Sequence, residues 1–365
     1  MDYINTPIKK IGRVVTGKTP LTAVQEYYNG EIMFITPSEL HTDFIVEKSE
    51  KTITSAGFDS IKANTISGTS VMVGCIGWDM GNVAICQETC ATNQQINSVT
   101  DIKPIYNPLY LYYWLKTKKD YLFSIASVTR TPILNKSTFE EVLVPMPKKN
   151  TQDAVANLLS VIDNKIMLNN RINNNLVKSA TTLYDFMFTK KSANGKLSKI
   201  LIENPKSTIQ VGDSEGVLGD YPFFTSGETI NEWTNYLVDG INCFLSTGGN
   251  ASIKAYYGKA SYSTDTWCIT GKGEYSAYLY FYLKSIIKSI DTSFFAGSGL
   301  KHLQKDALKD VDLYLPTIEE LEDFNKIVYP ILKKSSQLYI ENKKLIKQRD
   351  FLLPFLMNGQ ATIEE

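Results

Sequence analysis

The stretch Gly12-Arg13-Val14-Val15-Thr16-Gly17-Lys18-Thr19 has the spacing of a phosphate-binding loop, in which backbone N–H groups and a lysine cradle a nucleotide. That chemistry needs a buried strand before the first glycine and a helix after the last threonine. Here Asn5-Thr6-Pro7-Ile8-Lys9-Lys10 precedes the loop, and Pro20 stands where the helix would propagate. Nucleotide binding by this segment is not expected. Cys86 and Cys90 lack a nearby histidine and read as core thiols, not half of a metal site. The five cysteines are odd in number and contain no Cys-x-x-Cys, so reduced, buried thiols are expected. Two histidines, His41 and His302, are too few for a His-rich metal site. The paired prolines of an adenine or cytosine methyltransferase are missing, as are a G-x-S-x-G elbow and an EF-hand spacing. Nothing in these residues argues for catalysis.

Recognition fits them better. Ser127-Val128-Thr129-Arg130-Thr131-Pro132 places an arginine among hydroxyls before a short helical start, and Gln94 and Gln95 follow Thr92-Asn93. The second half offers Asn250, Lys254, Tyr257 and Lys259 in one stretch, basic side chains interleaved with aromatics, and Lys301 in another. Arg and Lys pair with guanine edges, and Asn and Gln with adenine, so these types can read bases. Each residue alone also reads as an ordinary solvated loop residue. The set of candidates for DNA contact is Lys18, Gln94, Gln95, Thr129, Arg130, Asn250, Lys254, Tyr257, Lys259 and Lys301.

These loops recur because the chain repeats itself. Of its 365 residues, 43% are hydrophobic and 21% charged, an ordinary globular composition of a length for two or three domains. No apolar run approaches a membrane span, and the N-terminus is no signal peptide. Lys and Arg (38) balance Asp and Glu (38), so net charge gives no hint of a polyanionic partner. A shift of 169 lays Phe139-Glu140-Glu141-Val142-Leu143-Val144-Pro145-Met146-Pro147 on Leu308-Lys309-Asp310-Val311-Asp312-Leu313-Tyr314-Leu315-Pro316. The same shift pairs Leu134 with Leu303, Ile162 with Ile331, Asn173 with Asn342, Leu176 with Leu345 and Leu183 with Leu352. A register this long is a tandem duplication.

Each repeat reads as a β-rich block followed by a long helix. Strands are expected at 32–36, 70–76, 82–86 and 141–144, then at 221–225, 242–246 and 310–315. Tyr-rich short helices are expected at 109–119 and 277–289, packed in the core. A helix over 153–188 carries the stripe Leu158, Ile162, Ile166, Asn169, Ile172, Leu176, Ala180, Leu183 and Met187, a narrow coiled-coil seam. Asn169 in that seam could fix register, and Asn164, Asn170, Arg171, Asn174 and Lys178 form a polar opposite side. The second helix opens at a Thr317-x-x-Glu320 capping box and closes near Gly359, with kinks expected at Pro330 and Pro354. Facing seams imply antiparallel packing, with the two β-blocks at opposite ends of a rod. The seam residues Ile162, Ile166, Ile172, Leu176, Leu183, Ile331, Leu338, Leu345 and Leu352 are the candidate interface positions.

These residues resemble the specificity subunit of type I restriction–modification systems. The likeness runs through Thr16-Gly17-Lys18-Thr19-Pro20, Tyr27-Tyr28-Asn29-Gly30, Thr36-Pro37-Ser38-Glu39-Leu40 and Pro145-Met146-Pro147, then Asp163-Asn164-Lys165-Ile166 and the C-terminal Leu352-Leu353-Pro354-Phe355-Leu356-Met357-Asn358-Gly359. The resemblance implies an α+β fold, a tandem pseudo-twofold repeat of a β-rich DNA target-recognition domain plus a long helix. The two helices would form an antiparallel coiled coil. It implies recognition domains at 1–149 and 191–316 and spacer helices at 150–190 and 317–360. The implied partners are double-stranded DNA, two modification (methyltransferase) subunits and restriction/translocase subunits, in the cytoplasm and away from membranes. S-adenosylmethionine, ATP and Mg would sit on those partners, and this chain would hold no cofactor, metal or catalytic residue. Two departures stand out: Thr151-Gln152 replaces the family's Glu-Gln, and the second repeat has Val211-Gly212-Asp213-Ser214-Glu215-Gly216 in place of a clear Thr16–Pro20 counterpart. A protein-binding coiled-coil scaffold and an enzyme of unrecognised motif remain as alternatives.

Overall fold

In the computed structural model, which describes residues 3–41, 44–127, 130–297, 299 and 301–360, the chain divides into two compact units. One comprises Met1–Met167 with Lys343–Glu365, the other Leu168–Asn342.

In the first unit the chain runs β1 (Ile4–Pro7), α1 (Ile8–Ile11), β2 (Arg13–Thr16), β3 (Tyr28–Ile35), β4 (Lys51–Ile53), α2 (Ser55–Ser60), β5 (Thr65–Ile66), β6 (Ser70–Gly74), β7 (Val83–Cys86), β8 (Cys90–Thr92) and β9 (Ile96–Thr100). Helices α3 (Pro108–Lys116), α4 (Lys119–Ser124) and α5 (Lys136–Glu140) follow, then β10 (Leu143–Met146) and the start of α6 (Lys149–Phe188). One sheet has the order β2-β9-β6-β7, a second β4-β3-β8-β5, and β1 pairs with β10. Asn107 caps α3 through its Oδ1, which accepts from the N–H groups of Leu109 and Tyr110. Tyr110 to Leu115 are all buried, so α3 is a core helix on every side rather than an amphipathic one. Its aromatics share a core with Val71, Val73, Val99, Val155, Leu159 and Leu356.

The second unit repeats the plan with fewer residues. Its elements are β11 (Gly195–Lys196), β12 (Leu201–Glu203), β13 (Tyr221–Phe224), β14 (Ile230–Trp233), β15 (Ile241–Ser246), β16 (Ile253–Tyr257), β17 (Ser261–Tyr262) and β18 (Thr266–Gly271). Then come α7 (Ser276–Ser285), α8 (Ile287–Ser293), β19 (Phe295–Ala296), β20 (His302–Leu303), α9 (Lys305–Lys309), β21 (Asp312–Leu313) and α10 (Ile318–Met357). The sheet β12-β18-β15-β16 reproduces β2-β9-β6-β7 strand for strand, and β14-β13-β17 reproduces β4-β3-β8. Parallel pairing of β3 with β8 recurs as parallel pairing of β13 with β17.

The two long helices run antiparallel. In the first unit Arg349 on α10 meets Asp163 on α6. In the second, Asn342 meets Asn169 and Phe324 meets Phe188, so partners on α10 fall as those on α6 rise. The capping box forms as expected: Thr317 N–H donates to Glu320 Oε2 at 2.9 Å and Glu320 N–H to Thr317 Oγ1 at 3.3 Å. Gly359 ends α10 at φ +70°, a left-handed cap. A Cβ there would also meet the Tyr3 hydroxyl, which would have to move aside.

Several helix expectations need correction. The helix α10 is one element through Pro330 and Pro354, both exposed, so neither proline interrupts it. Leu158 does not open the seam. It is 40% exposed, while Leu159 beside it is fully buried with Val155, Ala156 and Asp163. Over this first stretch the α6 face in use is the one covered by the β-block core, rotated by a residue from the coiled-coil stripe. Asn170 does not face water alone, since its Oδ1 accepts from Asn342 Nδ2 at 2.8 Å. Asn169 does sit in the seam, fully buried, with Nδ2 donating to Asn342 Oδ1 at 2.8 Å. Of the other seam positions, Leu338 is buried, while Ile162, Ile166, Ile172, Leu176, Leu183, Ile331, Leu345 and Leu352 are half-buried.

Backbone bonds align the start of the second repeat with that of the first. Ile8 N–H donates to the Val142 carbonyl at 3.0 Å, and Leu197 N–H to the Val311 carbonyl at 3.0 Å. Lys103 N–H reaches the Ile11 carbonyl, as Lys272 N–H reaches that of Ile200. Leu197-Ser198-Lys199-Ile200 therefore stands for Ile8-Lys9-Lys10-Ile11. The counterpart of Thr16–Pro20 is the segment 205–209.

Candidate nucleic-acid interface

Gly12 to Thr19 is not a phosphate loop. Gly12 follows a four-residue helix and leads into β2, and no helix follows Lys18. Gly17 has a different task. A Cβ on it would lie 2.2 Å from both the Asn93 carbonyl oxygen and Thr92 Oγ1, so only glycine lets this segment lie against the turn before β9. Thr19 Oγ1 then donates to Gln94 Oε1 at 2.9 Å. Lys18 and Gln94 are exposed beside this contact.

That corner is one end of the sheet β2-β9-β6-β7. Thr16 faces Asn97 and Gly74 faces Ile96 in register, so the chain leaving β2, entering β9 and leaving β6 emerges together. Gln95 closes the turn. Its N–H donates to Asn93 Oδ1, its Oε1 accepts from Asn93 Nδ2, and its carbonyl accepts from Cys75 N–H at 2.8 Å. The Arg130 loop is tied to the same edge. Leu134 N–H donates to the Cys75 carbonyl at 2.9 Å and Gly77 N–H to the Pro132 carbonyl at 3.0 Å. Buried Asn97 joins the two segments: its Oδ1 accepts from Thr16 Oγ1 at 2.6 Å and its Nδ2 donates to the Leu134 carbonyl at 3.0 Å. Lys18, Gln94, Gln95 and Arg130 thus belong to one loop cluster on a rigid sheet end. Thr129 lies outside the described residues.

The second unit builds the same corner with other residues. Ser246 faces Thr266 at the end of β15, Thr247 N–H donates to the Asp265 carbonyl, and Leu303 N–H donates to the Thr247 carbonyl at 3.0 Å. Gly249 N–H donates to the Lys301 carbonyl at 3.2 Å, so Lys301 and Asn250, both exposed, are neighbours. The other three sequence candidates are engaged within the fold. The Lys254 ammonium donates to the carbonyls of Gly227 and Thr225, and burial pushes its pKa down. Tyr257 is half-buried at the far end of β16, its N–H donating to Ser336 Oγ at 2.8 Å. Lys259 stacks over the Tyr236 ring at 4.5 Å. Tyr257 and Lys259, at the other end of β16, do not join Asn250 and Lys301.

The family described as the type I restriction modification DNA specificity domain matches residues 2–178 and again residues 190–349. The chain belongs to this family. It carries the specificity domain twice, in tandem. The MjaIX type I restriction enzyme specificity subunit of Methanocaldococcus jannaschii is 25% identical over 420 aligned residues, covering 100% of this chain and 94% of that one. The HindI specificity subunit of Haemophilus influenzae is 29% identical over 144 residues, which is 39% of this chain and 31% of that one. The crystal structure of a type I system S subunit from M. genitalium shares the fold, with a TM-score of 0.63 over 100% of this chain and 97% of that one, at 16% identity. A type I specificity subunit selects DNA and is not itself a catalyst.

Within this specificity fold, sequence reasoning missed Trp78. It sits in the turn after β6, 91% exposed, at the same corner as Gln95 and Arg130. An indole so exposed on an anchored turn has the geometry to stack on a base or sugar. Its signal was present: an aromatic between Gly77 and Asp79 sits in turn chemistry, where core packing does not claim it. His41 Nε2 and Asp79 Oδ1 lie 2.6 Å apart beside it. The five cysteines are all buried free thiols.

Proposed function

We propose that each unit reads one half of a bipartite double-stranded DNA site through its sheet-end loop cluster. Lys18, Gln94, Gln95, Arg130 and Trp78 serve the first half-site, and Asn250 with Lys301 the second. The observation that carries this reading is the recurrence of one anchoring bond, Leu134 N–H to Cys75 and Leu303 N–H to Thr247, with different exposed side chains around it. A rigid, duplicated scaffold bearing unlike loops suits two unlike readouts. Lys254, Tyr257 and Lys259 are assigned to phosphate contact or to the fold, not to base edges. In this reading recognition domains occupy 1–149 and 191–316, and the helices of 150–190 and 317–360 dock two methyltransferase subunits and the restriction/translocase subunits. Exposed Phe351 and Phe355, with rings 5.2 Å apart on α10, suit such docking. S-adenosylmethionine, ATP and Mg belong to those partners, in the cytoplasm. No helix among the described residues is long and apolar enough to cross a membrane.

Balanced charge supplies the test. Phosphate neutralisation dominates non-specific affinity, and this chain has no cationic excess. The isolated chain should retain DNA weakly in a gel-shift titration, and the complex with methyltransferase subunits should retain it tightly at one sequence. Tight, site-specific binding by the isolated chain would contradict the division of labour.

A further inference from the structure

Strands β7 and β16 hold the same place, each the outer strand of its four-stranded sheet. Val83 faces Val73 as Ile253 faces Leu245, so Ile85 and Ala255 are equivalent positions. In the first unit the outward backbone of Ile85 is occupied. Its N–H donates to the Phe44 carbonyl at 2.8 Å, and its carbonyl accepts from Val46 N–H at 2.8 Å. Residues 44–46 thus form a short parallel addition to the sheet edge.

The second unit leaves that edge open. Gly258 N–H donates to the Gly240 carbonyl, and Ser246 N–H to the Ser252 carbonyl, so even-numbered residues turn inward to β15. Tyr257 N–H turns outward to Ser336 Oγ. By the alternation of an antiparallel ladder, Ile253 and Ala255 also turn their N–H and C=O groups outward. Among the described residues no backbone segment pairs with them there. They border a cavity of about 570 Å³, also lined by Asn173, Val177, Lys178 and Lys284. An open row of N–H and C=O groups is a template for another strand. Charge indicates which strand. Lys178 and Lys284 form no ion pair among the described residues, and burial pushes the Lys284 pKa down with no carboxylate to offset it.

We propose that the open edge of β16 takes up an extended acidic segment of a partner protein as an added strand. The segment would fill the place that residues 44–46 fill in the first unit. Its main chain would pair with Ile253 and Ala255, and its carboxylates would answer Lys178 and Lys284.

The test titrates the full chain alone with a fluorescein-labelled hexapeptide of alternating valine and glutamate, with a valine and lysine hexapeptide as control. Because no DNA is involved, its failure would leave the DNA-reading function untouched. Saturable binding of the acidic peptide is expected, weakened about tenfold or more by Ala255→Pro and by the pair Lys178→Glu, Lys284→Glu. The paired charge reversal keeps the test sound should the proline variant misfold. Hydrogen exchange should slow at the Ile253 and Ala255 amides and stay unchanged at Lys254, both with the peptide and in the complex with methyltransferase subunits. Equal binding of both peptides would overturn the proposal. So would amides unaffected in both settings, or protected only when DNA is added.

Discussion

Arg349 donates from Nη1 to Asp163 Oδ1 at 2.7 Å, with only 12% and 3% of the two side chains exposed. Tyr113 of α3 donates its hydroxyl to the other oxygen, Oδ2, at 2.8 Å. Burial alone would lower the Arg349 pKa, yet Asp163 and Asp350 keep it above the usual arginine range. This triad ties α3 of the first β-block to both long helices. Asp163→Ala leaves the guanidinium to Asp350 and strands the Tyr113 hydroxyl, and should cost about 1–3 kcal/mol. Adding Arg349→Met should recover much of that loss in urea unfolding. Additive losses in the double variant would show that the two residues act separately.

Asn97 should matter to reading as well as to folding. Asn97→Leu removes the bonds to Thr16 and Leu134 and strands their polar groups, at about 1–3 kcal/mol. Discrimination at the first half-site should fall while the second half-site is read as before. Methylated-motif sequencing of the complex separates this from general destabilisation, which would blur both halves.

Arg130 distinguishes base contact from phosphate contact. If it grips guanine bidentately, Arg130→Ala should weaken discrimination in the first half-site by about 1–3 kcal/mol. If it touches only phosphate, affinity should fall for all sequences alike and the salt slope should shrink by about one. Competition binding at two salt concentrations decides between them.

Glu320 gives a pH prediction. A hydrogen bond from Lys191 at 2.9 Å, joined by those from Thr317 N–H and the Tyr314 hydroxyl, holds its carboxyl down at about 2. The folded pKa lies below the unfolded one, so its stabilisation is present above the ordinary carboxylate range and is lost as pH falls towards 2. Glu320→Ala should cost about 1 kcal/mol at neutral pH. The gap between wild type and variant should narrow in denaturant titrations as pH falls from 5 to about 2.5. A gap independent of pH would contradict the assignment.

The duplication was legible because the register from Leu134 onward is ungapped, and helix-forming and β10-type segments tolerate no slippage. The β-block start was not. Ile8 corresponds to Leu197, 189 residues on, whereas Val142 corresponds to Val311, 169 residues on, and the difference is absorbed in surface loops. Strands such as Ile96–Thr100 were missed for a related reason. All five residues are buried, yet Asn97, Ser98 and Thr100 are polar, with Asn97 and Thr100 bonded to partners distant in sequence, so no alternation marks the strand. Lys254 illustrates the same limit at the site. Its type suggested DNA, and only the fold shows that its ammonium also donates to backbone carbonyls. Trp78 was visible as a residue, but only the fold shows it exposed in the turn after β6.

The most direct measurement is a block exchange. Residues 201–315 are replaced by the corresponding block of another family member, and the methylated motif is read by single-molecule sequencing of cells carrying the assembled system. One half of the motif should change, with the other half and the spacer unchanged. A change in both half-sites together would show that recognition is shared across the repeat, and the two-reader account would be wrong.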